Sequence, residues 1–278
     1  MNIYHFTKFE SLLSILRSGR LYFSNLKNVN DPSEGLYSTR VIANCLKENE
    51  KNNNDISTLV LFYQNTIDHN QDLNLFSISF TGCVNNLHMW KEYGDYGKGV
   101  AIEFDKEKFT NLIDCYTNKN KNDADFLQIK EVIYNKKTVS ELIKGFFQNK
   151  ELNSNNVKLV SNIICLYPLT KHNRYKIEKE YRICFVCSDY ENFSEFCDCL
   201  IGTDNSTGNP RHYININYLK DKDVIKSIFL GSNITLYQKK TLKDELKDLG
   251  FNVKLIGNYI PICNKEDIPI CNNEEHEK

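Results

Sequence analysis

The chain is 278 residues long and 41% hydrophobic, enough for one sizeable core with room for a small subdomain. Its net charge of -1 gives no electrostatic case for general nucleic-acid binding, although a local basic patch stays open. No apolar run approaches the length of a membrane span, and the opening MNIYHFTKFE has no signal-peptide core, so a cytoplasmic protein without membrane attachment is expected.

Residues 2–6 read as a short first strand. Thr7 and Glu10 have capping-box spacing, and Phe9, Leu12, Leu13 and Leu16 form a helical stripe that Gly19 should end. His5 therefore falls at a strand end just before a helix, a place that suits a ligand contact and equally a structural histidine. Leu21 to Ser24 is a second short strand. Asp31, Pro32 and Glu34 fit the N-cap, first and third positions of a helix running to about Lys47, which explains all three structurally. Residues 56–68 read as another helix.

The most informative stretch is Phe76 to Asp105. Phe76, Ile78 and Phe80 alternate with Ser77, Ser79 and Thr81, and Val100, Ile102 and Phe104 alternate with Ala101 and Glu103, the period of half-buried strands. The connection holds Trp90, Tyr93 and Tyr96 beside Gly94, Gly97 and Gly99. Two readings fit it: a wall for a planar ligand, or a hairpin-like crossover whose rings fill a core corner.

Further on, residues 127–134 read as a strand, and residues 139–149 and about 154–167 as a helical pair. In Tyr175 to Cys187, read as one strand, Glu178, Glu180 and Arg182 share a face. Two carboxylates buried together raise the pKa of at least one unless a cation compensates, and Arg182 or Lys171 can supply it. The arrangement is either a salt-bridged exposed face or a working acid/base site. The ten cysteines are scattered, which favours reduced, buried thiols. Cys184, Cys187, Cys197 and Cys199 cluster, but the first two would face opposite sides of a strand, so no metal site is expected. A strand at 212–217 follows, and strands at 224–230 and 251–256 with a helix at 235–248 between them make a βαβ unit. The whole is α+β: one domain over 1–263 with a helical insertion at about 136–168, then an acidic, polar tail over 264–278.

Taken together, these residues resemble the bacterial domain of unknown function 2971. The pattern appears as Tyr4-His5-Phe6-Thr7, Leu21 to Ser24, Asn30-Asp31-Pro32 with Glu34, Ser79-Phe80, and Trp90 with Tyr93. It continues through Gly99-Val100, Lys171-His172 and Glu178 to Arg182, over most of residues 3–190. More distantly, the chain resembles ADP-ribosyltransferases of the His-Tyr-Glu and DNA-modifying toxin types. That resemblance implies a split mixed β-sheet core with flanking helices, and NAD as a substrate whose nicotinamide–ribose bond is cleaved. It gives His5 the task of holding NAD, Tyr93 (or Tyr96) that of stacking on nicotinamide, and Glu180, with Glu178 competing, that of catalytic acid/base. Phe6, Thr7, Ser24, Asn30, Asp31, Ser79, Trp90, Lys171, His172 and Arg182 are the remaining positions it assigns to the NAD site. It further implies an acceptor that is a protein, a nucleic acid or a small molecule. For a toxin or phage-defence effector it also implies a neutralising partner protein.

Two other functions compete. A metal-dependent hydrolase or nuclease would use Asp31, Glu34, Glu178 and Glu180 as hard oxygen ligands. A non-catalytic nucleotide-binding module would keep the pocket without turnover.

Overall fold

The computed structural model describes residues 1–26, 32–50, 74–119, 127–148, 156–187, 200–204, 206 and 211–259. Its main sheet is built around β1 (Asn2–Thr7), and the two flanks of that strand differ. On one side β5 (Val100–Asp105) pairs along its whole length, from Asn2↔Asp105 to Thr7↔Val100. On the other side β4 (Asn74–Thr81) meets it at one register position, Tyr4↔Thr81. Beyond that point β1 and β4 part. Buried strand carbonyls and N–H groups need partners, so an opening in a sheet has to be backed by something. Here the exposed edge of β4 is taken up by the short strand β3 (Ser24–Asn25), at Ser77 and Phe76, and by the His5 side chain at Ser79.

The other edge of β4 is fully paired with β7 (Glu180–Cys187), and β6 (Ile129–Glu131) follows outside it. Beyond β5 lie β10 (Ile225–Gly231) and β11 (Lys254–Tyr259). The order is β11-β10-β5-β1-β4-β7-β6 with β3 beside β4; β10 and β11 run parallel and the other pairs antiparallel, so the sheet is mixed. The two alternating strands of the Phe76–Asp105 stretch are real, but they are not neighbours: β1 lies between them.

A second sheet has the order β2 (Arg20–Tyr22), β9 (Arg211–Asn215), β8 (Ile201–Asp204). The expected strand Leu21 to Ser24 is thus two short ones in two sheets. The chain crosses between them at Phe23, whose N–H bonds His212 O at 2.9 Å. Residues of both sheets share one core with α1 (Phe9–Ser18), α7 (Ile216–Asp221) and α8 (Leu236–Asp248), including Ile3, Leu12, Phe80, Ile102, Ile214 and Leu242. Gly19 ends α1 in the left-handed conformation (φ 67°) as expected. Thr7 does not start it. Its backbone is held in the β1–β5 ladder, so Lys8 takes the N-cap position without a side-chain hydrogen bond.

A separate apolar cluster joins α2 (Pro32–Glu50), α5 (Lys136–Gln148) and α6 (Asn156–Leu166) through Ile42, Leu46, Ile143 and Ile163. The expected helical pair therefore packs on the helix that follows Pro32. The short helix α3 (Leu87–Glu92) and the longer α4 (Lys106–Lys119) flank β5 in the chain. The helix expected at 56–68, Asn30, Asp31, Cys197, Cys199 and the 264–278 tail lie outside the described residues.

Candidate active site

Where β1 and β4 part, a cavity of about 300 Å³ opens. His5 and Phe6 line it from β1, Ser77 and Ser79 from β4, and Ser24 from β3. The strand period explains the serines: Ser77 and Ser79 share the face opposite Ile78 and Phe80, which are buried in the core. Tyr22, Tyr93 and Tyr175 add rings, and Lys171, Glu178, Glu180 and Arg182 add charge.

His5 donates from Nδ1 to the Ser79 carbonyl oxygen at 2.9 Å, since a carbonyl can only accept. Burial pushes its pKa down, and the Ser79 hydrogen bond only partly opposes that, so the ring is neutral at pH 7. A neutral ring with its proton on Nδ1 keeps Nε2 as an acceptor beside the cavity.

The expected continuous strand Tyr175 to Cys187 is not what forms. Asn173–Glu178 is a 3₁₀ turn, Lys179 is left-handed (φ 46°), and the strand begins at Glu180. Thr81 Oγ1 donates to Glu178 O at 2.6 Å, and Gly82 N–H donates to Lys179 O at 3.0 Å, which fixes the turn against the end of β4. Glu178 reaches Glu180's side through this turn and not through strand alternation.

The four charged groups are all buried and form one network. Lys171 Nζ lies between the carboxylates, 2.6 Å from Glu178 Oε2 and 3.1 Å from Glu180 Oε2. Arg182 grips Glu180 with two nitrogens, Nε to Oε1 at 2.6 Å and Nη2 to Oε2 at 3.1 Å. Its Nη1 donates to Pro168 O at 2.6 Å. Burial alone would raise the Glu180 carboxyl. The charges of Arg182 and Lys171, with hydrogen bonds from Arg182 and Ser79, override it and hold the pKa at about 2. Glu180 is therefore a fixed anion at neutral pH and not a group that exchanges protons there. Two cations and two carboxylates leave the network neutral as a whole.

Tyr93 donates from its hydroxyl to Glu178 Oε1 at 3.3 Å. Burial, then the Glu178 charge, push its phenol well above the usual range, so it stays protonated. His88 Nε2 approaches the same Glu178 oxygen at 3.5 Å. Behind the network, Tyr134 OH takes the Glu180 backbone N–H at 3.0 Å.

Of the residues expected at the site, His5, Phe6, Ser24, Ser79, Tyr93, Lys171, Glu178, Glu180 and Arg182 line the cavity. Four do not. Trp90 is core: its Nε1 donates to Val84 O at 2.8 Å and its ring meets Phe6 edge-on at 4.9 Å, among Met89, Ala101 and Phe229. Thr7 pairs with Val100 at the end of β1. Tyr96 is 65% exposed, and its left-handed backbone (φ 53°) offers its carbonyl to Asn233 instead. His172 caps the 3₁₀ turn by accepting from Arg174 N–H at 3.1 Å, with its ring against Tyr37. The loop around Tyr96 is packed tightly enough to demand glycine: a Cβ at Gly99 would run into Thr7 O, and one at Gly231 into Gly97 O. Missed by sequence reasoning were Tyr22, Ser77, Tyr175 and His88. Tyr22 and Ser77 were legible, since period-two spacing puts them on the faces of Ser24 and Ser79.

Among the described residues, no group of three or more His, Cys, Asp or Glu side chains is placed to hold a metal ion. Between Glu178 and Glu180 the Lys171 ammonium already occupies the place a cation would take. Burial raises the Cys184 thiol to about 12, which leaves it protonated and a poor ligand.

Residues 89–183 match the family described as "Protein of unknown function (DUF2971)". The DUF2971 match takes in Tyr93, Lys171, Glu178, Glu180 and Arg182, the charged part of the cavity, and leaves out β1 and β3 with His5 and Ser24. It is narrower than the 3–190 span expected from the motifs. No curated protein matches the chain, and no solved structure does.

Proposed function

We propose that the cavity binds NAD and that the chain is an ADP-ribosyltransferase, cleaving the nicotinamide–ribose bond and passing ADP-ribose to an acceptor. One observation carries the reading: His5, Tyr93 and Glu180, from three separate parts of the chain, line the same cavity. Each has suitable chemistry. The neutral His5 ring offers an acceptor to a sugar hydroxyl. The Tyr93 ring suits a cationic, planar nicotinamide. Glycosidic cleavage builds positive charge on the ribose, which a preorganised carboxylate stabilises. Glu180 serves in that role as a held anion and acceptor, in place of the acid/base role expected from the resemblance, because its pKa of about 2 keeps it ionised. Its geometry is set in advance by Arg182, Lys171 and Tyr134.

The acceptor, whether protein, nucleic acid or small molecule, belongs to the same proposal, as does a role as a toxin or phage-defence effector with a neutralising partner. Among the described residues a metal-dependent hydrolase has no comparable observation in its favour. The test is NAD binding by thermal shift and calorimetry with wild type, His5→Ala and Tyr93→Ala. The reading expects stabilisation of wild type and a loss of at least tenfold in affinity in both variants. Absence of any NAD effect on folded wild type would defeat it.

A further inference from the structure

The cavity's own cations cannot be the main phosphate contacts of a nucleotide. Lys171 and Arg182 are each bound to carboxylates, so an anion placed among them also meets Glu178 and Glu180. Phosphate has to be met elsewhere on the rim.

The second sheet reaches the cavity through Tyr22, a lining residue on β2. Next to it on β9 is Arg211, exposed, with its guanidinium 4.0 Å over the Tyr22 ring. The ring itself is held in place. Tyr22 OH donates to Asp204 Oδ2 at 2.7 Å, and its edge meets Tyr213 with centroids 5.8 Å apart. Arg20, the other arginine here, is committed: it is paired with Asp204 at 2.5 Å and lies 4.7 Å over Tyr213. Among the described residues Arg211 has no carboxylate within ion-pair distance. A guanidinium held over a ring face keeps N–H groups for a second partner, and its planar fork matches two phosphate oxygens.

The geometry points to Arg211 as a phosphate-binding residue at the cavity mouth, braced on Tyr22, that receives the diphosphate of a nucleotide whose sugar end enters the cavity. This gives the second sheet a task in ligand recognition. The inference rests on the NAD reading for the nucleotide's identity, and on Arg211 and Tyr22 alone for the phosphate.

Calorimetry with inorganic pyrophosphate, ADP-ribose and nicotinamide riboside on wild type, Arg211→Gln and Arg211→Lys tests it. Arg211 is exposed, so both variants should keep the unliganded melting temperature, which is measured first. Pyrophosphate and ADP-ribose should bind wild type and weaken at least tenfold in Arg211→Gln, with Arg211→Lys in between. Nicotinamide riboside, which has no phosphate, should not distinguish the proteins. ADP-ribose binding tighter than pyrophosphate would mark a nucleotide site, and equal binding a simple phosphate site. Affinities of Arg211→Gln within threefold of wild type for both anions, or no anion binding by wild type, would overturn the inference. Anion binding through Arg211 without any nicotinamide release from NAD would instead sink the cleavage reading and leave the phosphate site standing.

Discussion

Glu180→Gln keeps the shape of the side chain and removes one charge from a buried, neutral set of four. Wild type balances Lys171 and Arg182 against Glu178 and Glu180. The variant leaves one positive charge uncompensated in the interior, with Arg182 deprived of both carboxylate contacts. Breaking a buried pair by removing one partner costs about 3–5 kcal/mol. For a chain of this size each kcal/mol moves the melting temperature by about 2–4 °C, so a fall on the order of 10 °C is expected. The double variant Glu180→Gln/Arg182→Met restores balance, because Lys171 and Glu178 remain as a pair. It should recover about 2 kcal/mol of the loss despite giving up the Arg182 bond to Pro168. Urea unfolding of Glu180→Gln, Arg182→Met and the double variant measures the coupling. A Glu180→Gln cost below about 1 kcal/mol, or strictly additive losses in the double variant, would refute the charge-balance reasoning. The result also sets the temperature at which any activity of Glu180→Gln can be fairly read.

Three further outcomes follow from the same geometry. A carboxyl held at about 2 in the folded state contributes stability that is fully present above its ordinary value and lost as pH falls through about 2. Wild type should therefore lose more stability between pH 5 and pH 2 than Glu180→Gln does; equal losses by calorimetry would contradict this. Trp90→Phe should lower stability by about 1–3 kcal/mol through lost packing and leave ligand affinity unchanged, because the ring is core and not cavity wall. An affinity loss of tenfold would return Trp90 to the site. Tyr93→Phe keeps the ring and drops the bond to Glu178, so it should hold NAD within threefold of wild type by calorimetry, whereas Tyr93→Ala should not.

The parts of the fold that were legible are those written in local period. Alternation located β4, β5 and the serine face, and the Leu12 and Leu16 stripe with Gly19 located α1. What local pattern could not carry was which strands are neighbours. The opening between β1 and β4 depends on one pairing, Tyr4↔Thr81, and on a histidine side chain replacing a backbone donor at Ser79. Neither has a sequence period. The Glu178–Glu180 pair was found for the wrong reason: strand alternation and a 3₁₀ turn followed by a left-handed residue both bring i and i+2 carboxylates together. Trp90 and Tyr96 show the opposite failure. Large rings beside glycines suit a ligand wall, yet one is packed on Phe6 and the other is held out by its backbone. Asn30 and Asp31 lie outside the described residues.

The most direct test of the central proposal is nicotinamide release from NAD by purified wild type, His5→Ala and Glu180→Gln, each confirmed folded at the assay temperature, with and without chelator. The account predicts release by wild type that is insensitive to chelator and lost in both variants. Release that disappears with chelator, or persists undiminished in Glu180→Gln, would contradict it.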